Sequence, residues 1–565
     1  LLTVSTAAFG QFAGGVNIDF NSAAGAGAGQ PTILYGGAAG QSGYWNMLNG
    51  PFGVGATYTV RNLANSADAV TLTVQNTTST GAFSFNNANT SGDAELLLDD
   101  VHDLGGSGFA LYTIGPFAGG VYDVYTYAVA PDSAANRMSV RAYSASVMSG
   151  VEVTVGGAIP AGGVLAAGVT HSVHRVAVAR GERIWIQAQA AVGAGSINGI
   201  QIKPVTGFTR LYVGPGTPAG SQTGLSWAEA CTELQRALSI ASDTPGVTEI
   251  WITRGFQHPN RVLYGEADRD ATFSVRSNLL LLGGFDGTEA TAAERTTGGS
   301  ATQLNGLGLA RHVVTLSGAT GVRIEDLNIT EGNNELAIST AGNEGAGVRV
   351  VNGSGTFQRV RFGHNVAAGL GGVFSLSGAS AVTVNDSDTI DNQAFSGSFA
   401  AVRGGSLTVN RCRLGNNTCT STTAGVFDVN GASASLTLNN CLVANNQQPT
   451  WIIDASAGLS LGVYNCTFAN NRSTAGANVG ITGPHSSTIR NSIIYGNVGT
   501  APASMSNVLL FSGGFASITD NTIQQWDGTL TGPASLNFDA DPRFTLPAPA
   551  GLQAPGSVLG AGRYQ

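Results

Sequence analysis

From about residue 320 to residue 528 the chain repeats one pattern of apolar and polar positions. It reads LTVNRCRLGNN at 407–417, LTLNNCLVANN at 436–446, LGVYNCTFANN at 461–471 and STIRNSIIYGN at 487–497. Apolar residues alternate with polar ones, the chain turns at Asn, the alternation resumes, and the unit closes in Gly, Asn or Ser: strand, corner, strand, loop. Aligning Asn365, Asn417, Asn446, Asn471 and Asn497, with Gln393 and Trp526 assigned to the same slot, gives steps of 24 to 29 residues. That period marks a solenoid. No helical period fits inside a unit, and a unit of this kind buries its apolar face only by stacking, which predicts a parallel β-helix.

The register carries further expectations. Leu414, Val443, Phe468 and Ile494 form one inward column, and Leu407, Leu436 and Leu461 another. Asn417, Asn446, Asn471 and Asn497 stack as a structural ladder in a corner between strands. Cys412, Cys441 and Cys466 fall at one inward site in three successive coils. Coils rise by roughly 4.8 Å, but stacked side chains run parallel, so the cysteines read as a column of small buried hydrophobes and not as disulfides. With Cys231 and Cys419 the total is five, without a CxxC pair, which gives no disulfide framework and no zinc site.

Residues 16–204 lack the repeat. Segments such as VNIDF, AVTLTVQN, GVYDVYTYAVA, HSVHRVAVA and RIWIQAQA alternate over short stretches parted by Gly, Asn, Asp and Pro, which predicts an antiparallel β-sandwich. In SWAEACTELQRALSIAS, Ser226 and Glu229 fit a capping box. Trp227, Ala230, Leu234, Ala237, Leu238 and Ala241 follow helical spacing, and the segment reads as an amphipathic helix capping the solenoid. The fold class is therefore all-β: a sandwich, then a parallel β-helix with an N-terminal capping helix. The divisions are an extended segment 1–15, the sandwich 16–204, a junction with capping helix and first coils 205–320, the β-helix 321–545 and a closing segment 546–565.

Composition narrows the function classes. Eighty glycines, 42% hydrophobic and 11% charged residues describe a turn-rich β chain with enough apolar content for a core. A net charge of −9 with a single lysine, Lys203, leaves no basic cluster to displace counterions from nucleic acid. No apolar run reaches the length of a membrane span. The opening LLTVSTAAFGQFAGG reads either as the end of a signal-peptide core or as a mature N-terminus, and both imply export.

Several motifs carry a resemblance. LYVGPGTPAGSQTGLSWAEACTELQRAL, VTEIWITRG, SNLLLLGGFDGTEATAAERTT and TQLNG resemble the entry segment of bacterial surface β-helix proteins related to the polymorphic outer membrane proteins and the choice-of-anchor repeat proteins. DADPRF at 539–544 and GLQAPGSVLGAG at 551–562 look like their closing segment. The sandwich, through VNIDF, GYWN, LLLDDVHD and SINGIQI, resembles carbohydrate-binding-like jelly rolls of secreted bacterial proteins. These resemblances imply that the sandwich is jelly-roll-like and the β-helix right-handed, the handedness agreeing with the general rule for parallel crossovers. The β-helix resemblance implies an exported surface protein of adhesive or structural role.

Candidate chemistry is sparse. The densest acidic coil, VNDSDTIDN, holds Asp386, Asp388 and Asp391, with Arg361, Arg403, Arg411 and Arg413 on neighbouring coils and His364 at a corner. Pectate-lyase-like enzymes need such convergence in an outer groove, whereas Asp and Asn are also the ordinary residues of corners. Asp388 falls near the Cys412 column, which predicts a local bulge turning it outward. Glu325, Asp326, Glu331, Glu335 and Glu344 read as a solvated edge. Asp99, Asp100 and Asp103 are calcium candidates lacking further ligands. No histidine spacing marks a metal, and no serine nucleophile motif occurs in context. Tyr44 and Trp45 are glycan-stacking candidates, with Trp251, Tyr264 and Trp526 as other faces.

The expectation from these readings is a non-catalytic surface subunit with no catalytic residue, metal or cofactor. The apolar ends predict head-to-tail assembly of identical copies, the segment 1–15 adding a strand to a neighbour with Leu2, Val4 and Thr6 pointing inward. A glycan-binding adhesin and a pectate-lyase-like polysaccharide-degrading enzyme are the alternatives.

Overall fold

The computed structural model describes residues 12–524 apart from 145–149, 217–221, 261–267, 299–300, 335–343, 422–424, 449–450, 456, 475–478, 484–485, 500–506 and 512–516, and beyond them 534–535, 537 and 542. Two compact units divide the chain, one of Leu1–Thr232 with Arg236–Thr248 and the other of Glu233–Gln235 with Glu249–Gln565.

The first unit is a sandwich. A five-stranded sheet runs in the order His171–Val178, Gly120–Tyr127, Gly199–Pro204, Val16–Asn21, Trp45–Asn49. A six-stranded sheet runs Val153–Val155, Arg137–Ser144, Ile184–Val192, Phe109–Gly115, Ala67–Thr77, Thr57–Arg61. All pairs are antiparallel except Val16–Asn21 with Trp45–Asn49. Alternation assigns the faces. Val16, Ile18 and Phe20 meet Leu72, Tyr112 and Ile186 of the opposite sheet in one core, while Trp45, Tyr127, Leu97 and Leu98 form a second cluster.

The amphipathic helix is shorter than its periodicity suggests, covering Leu234–Asp243. Ser226 Oγ still accepts from the Glu229 N–H at 3.3 Å. That turn leads into a parallel bridge between Cys231 and Val213, so the backbone at 231 bonds to a strand and cannot continue a helix. From Arg236 onward the helix belongs to the first unit, where the buried Arg236 guanidinium donates to Ser144 Oγ at 2.7 Å and to the Ala177 carbonyl.

The second unit is a right-handed parallel β-helix. Its first face stacks Glu249–Thr253, Leu280–Phe285, Val322–Glu325, Ser354–Gln358, Ala381–Asn385, Gly405–Asn410, Ala434–Asn439, Ser460–Tyr464, Ser487–Arg490, Ser517–Thr519 and Ala534–Ser535 in that order. Among the described residues the second face has ten strands, the third nine and the fourth five, all parallel. Leu414, Val443, Phe468 and Ile494 lie in register on the second face, and Leu407, Leu436 and Leu461 on the first. Phe374, Phe399 and Phe427 continue the core edge to face, with centroids 5.6 and 5.2 Å apart.

Two corners per coil turn through one left-handed residue followed by one buried residue. At the second corner the left-handed residues are Glu331, His364, Asp391, Asn416, Asn445 and Asn470, and the buried ones Asn365, Asn392, Asn417, Asn446 and Asn471. Each buried amide accepts from the previous coil and donates to the next. Asn446 Oδ1 accepts from the Asn417 N–H and Nδ2, both at 2.9 Å, while its own Nδ2 donates to Asn471 Oδ1 at 2.9 Å and the Leu414 carbonyl at 3.0 Å. The ladder runs on from Asn471 to Asn497 at 2.9 Å.

Asn392, not Gln393, occupies the ladder slot, and Trp526 lies outside the described residues. This one-residue correction removes the apparent extra residue of that coil. Ser387 then takes the inward slot of Cys412, Cys441 and Cys466, and Asp388 faces outward opposite Arg413 without a bulge. The three cysteines stack as free, buried thiols, the Cys441 N–H lying 3.4 Å from Cys466 Sγ.

Asn446→Ala would strand the buried Asn417 N–H, at a cost of about 1–3 kcal/mol, and remove the side-chain donor to the Leu414 carbonyl, while Asn417 Nδ2 keeps Thr389 Oγ1 and Asn471 Oδ1 keeps the Asn446 N–H. It should lower the thermal midpoint by several degrees, whereas Asn440→Gly, at a left-handed position, should leave it nearly unchanged; circular dichroism melts of the full chain check both.

Candidate functional site

The first corner carries the chemistry. Its left-handed residues are Asp326, Arg359, Asp386, Arg411, Asn440, Asn465, Asn491 and Asp520. The next residue in each coil turns inward, and the one after that opens the second face outward, where Asn328, Arg361, Asp388 and Arg413 align in register. In the coils from 323 to 413 every member of these two columns except Asn328 is charged. The corner thus sets ionic side chains one strand spacing apart, about 4.8 Å.

The charges interlock. Asp326, fully buried, is clamped by Arg295 at 2.9 Å and by the Arg359 fork at 2.7 and 2.8 Å. Glu325 takes Arg323 at 2.5 Å and Arg295 at 3.2 Å. Asp386 accepts the Arg411 fork at 2.6 and 2.8 Å and Gln358 Nε2 at 2.7 Å. Asp388 accepts the Arg413 fork at 2.7 and 2.6 Å. The hydrogen bonds from Arg411 hold the Asp386 carboxyl below the usual carboxylate range, so Asp386 is no reservoir of an acidic proton near neutrality.

Arg361 differs from its neighbours. It stands between Asn328 and Asp388 in the column, is exposed, and makes no ion pair among the described residues. Arg359, Arg361, Asp386 and Asp388, with Asn328 and Gly298, line an open cleft of about 200 Å³. Within each pair the carboxylate is the less exposed partner: Asp326 0% against Arg359 29%, Asp386 35% against Arg411 56%, Asp388 34% against Arg413 47%. The solvent-facing layer is cationic in an acidic protein.

Other candidates disperse. Arg403 does not reach the aspartates of the acidic coil, because its fork is spent on the buried Asp428 at 2.8 and 2.7 Å. Asp391 and His364 lie at the second corner. Glu344 accepts from Ser375 Oγ at 3.2 Å, and Glu335 is outside the described residues. Trp45 cannot stack on a sugar: it is fully buried, its indole N–H donating to the Tyr35 carbonyl at 3.1 Å, and Tyr44 beside it is half-buried. Trp251 is likewise buried, stacked on Phe285 at 4.5 Å. Tyr264 and Trp526, and the donor-strand residues Leu2, Val4 and Thr6, lie outside the described residues. Among the described residues no helix is long and apolar enough to cross a membrane, and no group of three or more His, Cys, Asp or Glu side chains could hold a metal ion.

No family model matches the chain, and no curated protein does. Among solved structures it is similar to the catalytic domain of a GH87 α-1,3-glucanase in complex with nigerose, at 12% identity and a TM-score of 0.26, covering 83% of this chain and 96% of that one. A substituted form of such a domain in complex with tetrasaccharides matches at 11% identity and a TM-score of 0.21, over 81% and 99%. These neighbours are catalytic domains, and with them the expectation of a non-catalytic, fibre-forming subunit, and of a chain that is not an enzyme, is withdrawn. The likeness concerns the fold alone and transfers no residue.

Burial alone would raise Asp428, but the Arg403 fork, Ser396 Oγ and Asn430 hold its carboxyl below the usual range. A depressed folded value contributes stability above the unfolded value of about 4 and loses it as pH falls further. Arg403→Ala should cost about 3–5 kcal/mol at neutral pH by leaving a buried carboxylate uncompensated. Adding Asp428→Asn should recover part of that loss, measured in paired melts between neutral and acidic pH.

Proposed function

We propose that this chain is a carbohydrate-active β-helix enzyme that binds an anionic polysaccharide along the first corner and cleaves it at the cleft around Arg361. The observation that carries the reading is the unpaired Arg361 guanidinium in a cleft whose other charges are already matched in pairs. A uronate carboxylate is the partner that a free, exposed guanidinium fork fits. The surplus is local: Arg295, Arg323, Arg359, Arg361, Arg411 and Arg413 outnumber Glu325, Asp326, Asp386 and Asp388 there, although the whole chain carries −9.

The pairing also limits the reaction. Hydrolysis by two carboxyl groups needs one of them protonated, and Asp386 is held in the opposite direction. Elimination at a uronate suits a guanidinium-lined cleft better: a cation on the sugar carboxylate acidifies the neighbouring C–H, water takes that proton, a C=C bond forms, and the glycosidic C–O bond breaks with its leaving oxygen protonated by water. An extracellular placement accords with such a substrate and with the resemblance to exported bacterial surface β-helix proteins.

The test is depolymerisation by the purified chain of uronans such as polygalacturonate and alginate, with α-1,3-glucan as the neutral counterpart. Product size and the ultraviolet absorbance of unsaturated uronate ends are the readouts. Uronan cleavage should fall about tenfold or more in Arg361→Ala, the loss of a charge-assisted hydrogen bond of ~1.5–3 kcal/mol. It should also weaken as salt rises. Cleavage confined to neutral glucan, or uronan cleavage indifferent to Arg361, would remove the reading.

A further inference from the structure

The sandwich holds a second acidic site, unrelated to the corner cleft. Asp19, in the strand Val16–Asn21, is fully buried, and neither of its carboxylate oxygens has a hydrogen-bond partner. Asp100, at the start of the strand Asp100–Gly106, is also fully buried; its Oδ2 accepts from the Ser22 N–H at 2.8 Å, and its Oδ1 has no partner. Neither makes an ion pair among the described residues. Burial pushes the Asp100 carboxyl up to about 8, with the charge of Asp99 adding to it, and burial together with the charge of Asp100 pushes Asp19 up. Three buried acceptor oxygens without a donor are an electrostatic cost that a folded chain does not leave unrelieved.

The surroundings are closed by backbone. The glycine-rich segment at 23–29 folds over Asp100, where a Cβ on Gly27 would come 2.9 Å from the Asp100 nitrogen and 3.2 Å from its Cγ. Gly199 stands opposite Asp19 in the sheet, and a Cβ there would come 2.6 Å from the Ile18 carbonyl oxygen. The segment is tied down by the Gly29 N–H to Asn21 Oδ1 at 3.0 Å and by Ser22 Oγ to the Ala24 carbonyl at 3.0 Å.

We propose that Asp19 and Asp100 together hold one calcium ion beneath the 23–29 segment. Calcium accepts carboxylates together with neutral backbone and amide oxygens in an adaptable shell, whereas magnesium demands a stricter octahedron that keeps several waters. The absence of any third His, Cys, Asp or Glu ligand among the described residues argues against zinc and leaves the rest of the shell to neutral oxygens. A cation partners all three orphan oxygens at once and pins the glycine-rich segment to the sheet.

The experiment is calcium titration of the full chain after chelation and dialysis, followed by calorimetry, metal analysis and thermal melts. One equivalent of calcium should bind and raise the melting midpoint by several degrees. Asp19→Asn and Asp100→Asn should each weaken binding by at least about 100-fold, while Asp103→Asn, whose carboxylate caps the Gly105 N–H, should not. If a variant does not fold, the wild-type titration decides alone. Melting and metal content unmoved by calcium would overturn the site in favour of two carboxyls sharing protons, as would calcium binding that survives both substitutions.

Discussion

A parallel coil must turn its backbone inside the core, where no water can satisfy the turning amides. The stacked asparagines solve this by making each corner the hydrogen-bond partner of the next. Asn365, Asn392, Asn417, Asn446, Asn471 and Asn497 repeat one geometry over coils of unequal length. Length differences are absorbed in loops, because the ladder tolerates no slippage: shifting one amide by a residue would orphan groups on both neighbours. The cysteine column, continued by Ser387 and Ser492, plays a weaker version of the same part at the first corner.

The proposed binding surface follows from that constraint. A left-handed residue must precede each buried corner residue, and all such residues except the buried Asp326 keep their side chains at the surface. In the three coils with Asn440, Asn465 and Asn491 the position is Asn, the cheap choice for this conformation. In the coils with Arg359, Asp386 and Arg411 it is charged, at an added conformational cost of about 1 kcal/mol or more for arginine. Those coils also carry the interlocked pairs and Arg361, so the strain coincides with the cleft.

Much of this was legible from residue order alone. The period, the Asn and Cys columns and the inward Leu and Phe positions are local repeats, and local repeats survive in sequence. Among the described residues the register slipped where VNDSDTIDNQ offers two amides, Asn392 and Gln393, and the hydrogen-bond ladder chooses between them. Trp45 misled because a Gly-rich neighbourhood reads as an exposed loop, whereas here it folds back as a lid over the indole. The helix lost its first turns to a bridge with Val213, a long-range pairing that periodicity cannot register. Asp19 and Asp100, about eighty positions apart in the chain, carry no motif that joins them. Which arginine remains free is likewise a matter of who pairs with whom in three dimensions.

The corner column also works as a ruler. Its outward groups are spaced by the strand separation, about 4.8 Å, and neither side-chain rotamers nor loop length can alter that pitch. A polymer whose own charges recur at a commensurate interval can engage several coils at once, while one with a different interval drifts out of phase after a few. Selectivity among chain molecules would then be encoded less by any single pocket than by periodicity, and substituting one coil would change the reading at one tick of the scale without disturbing the rest.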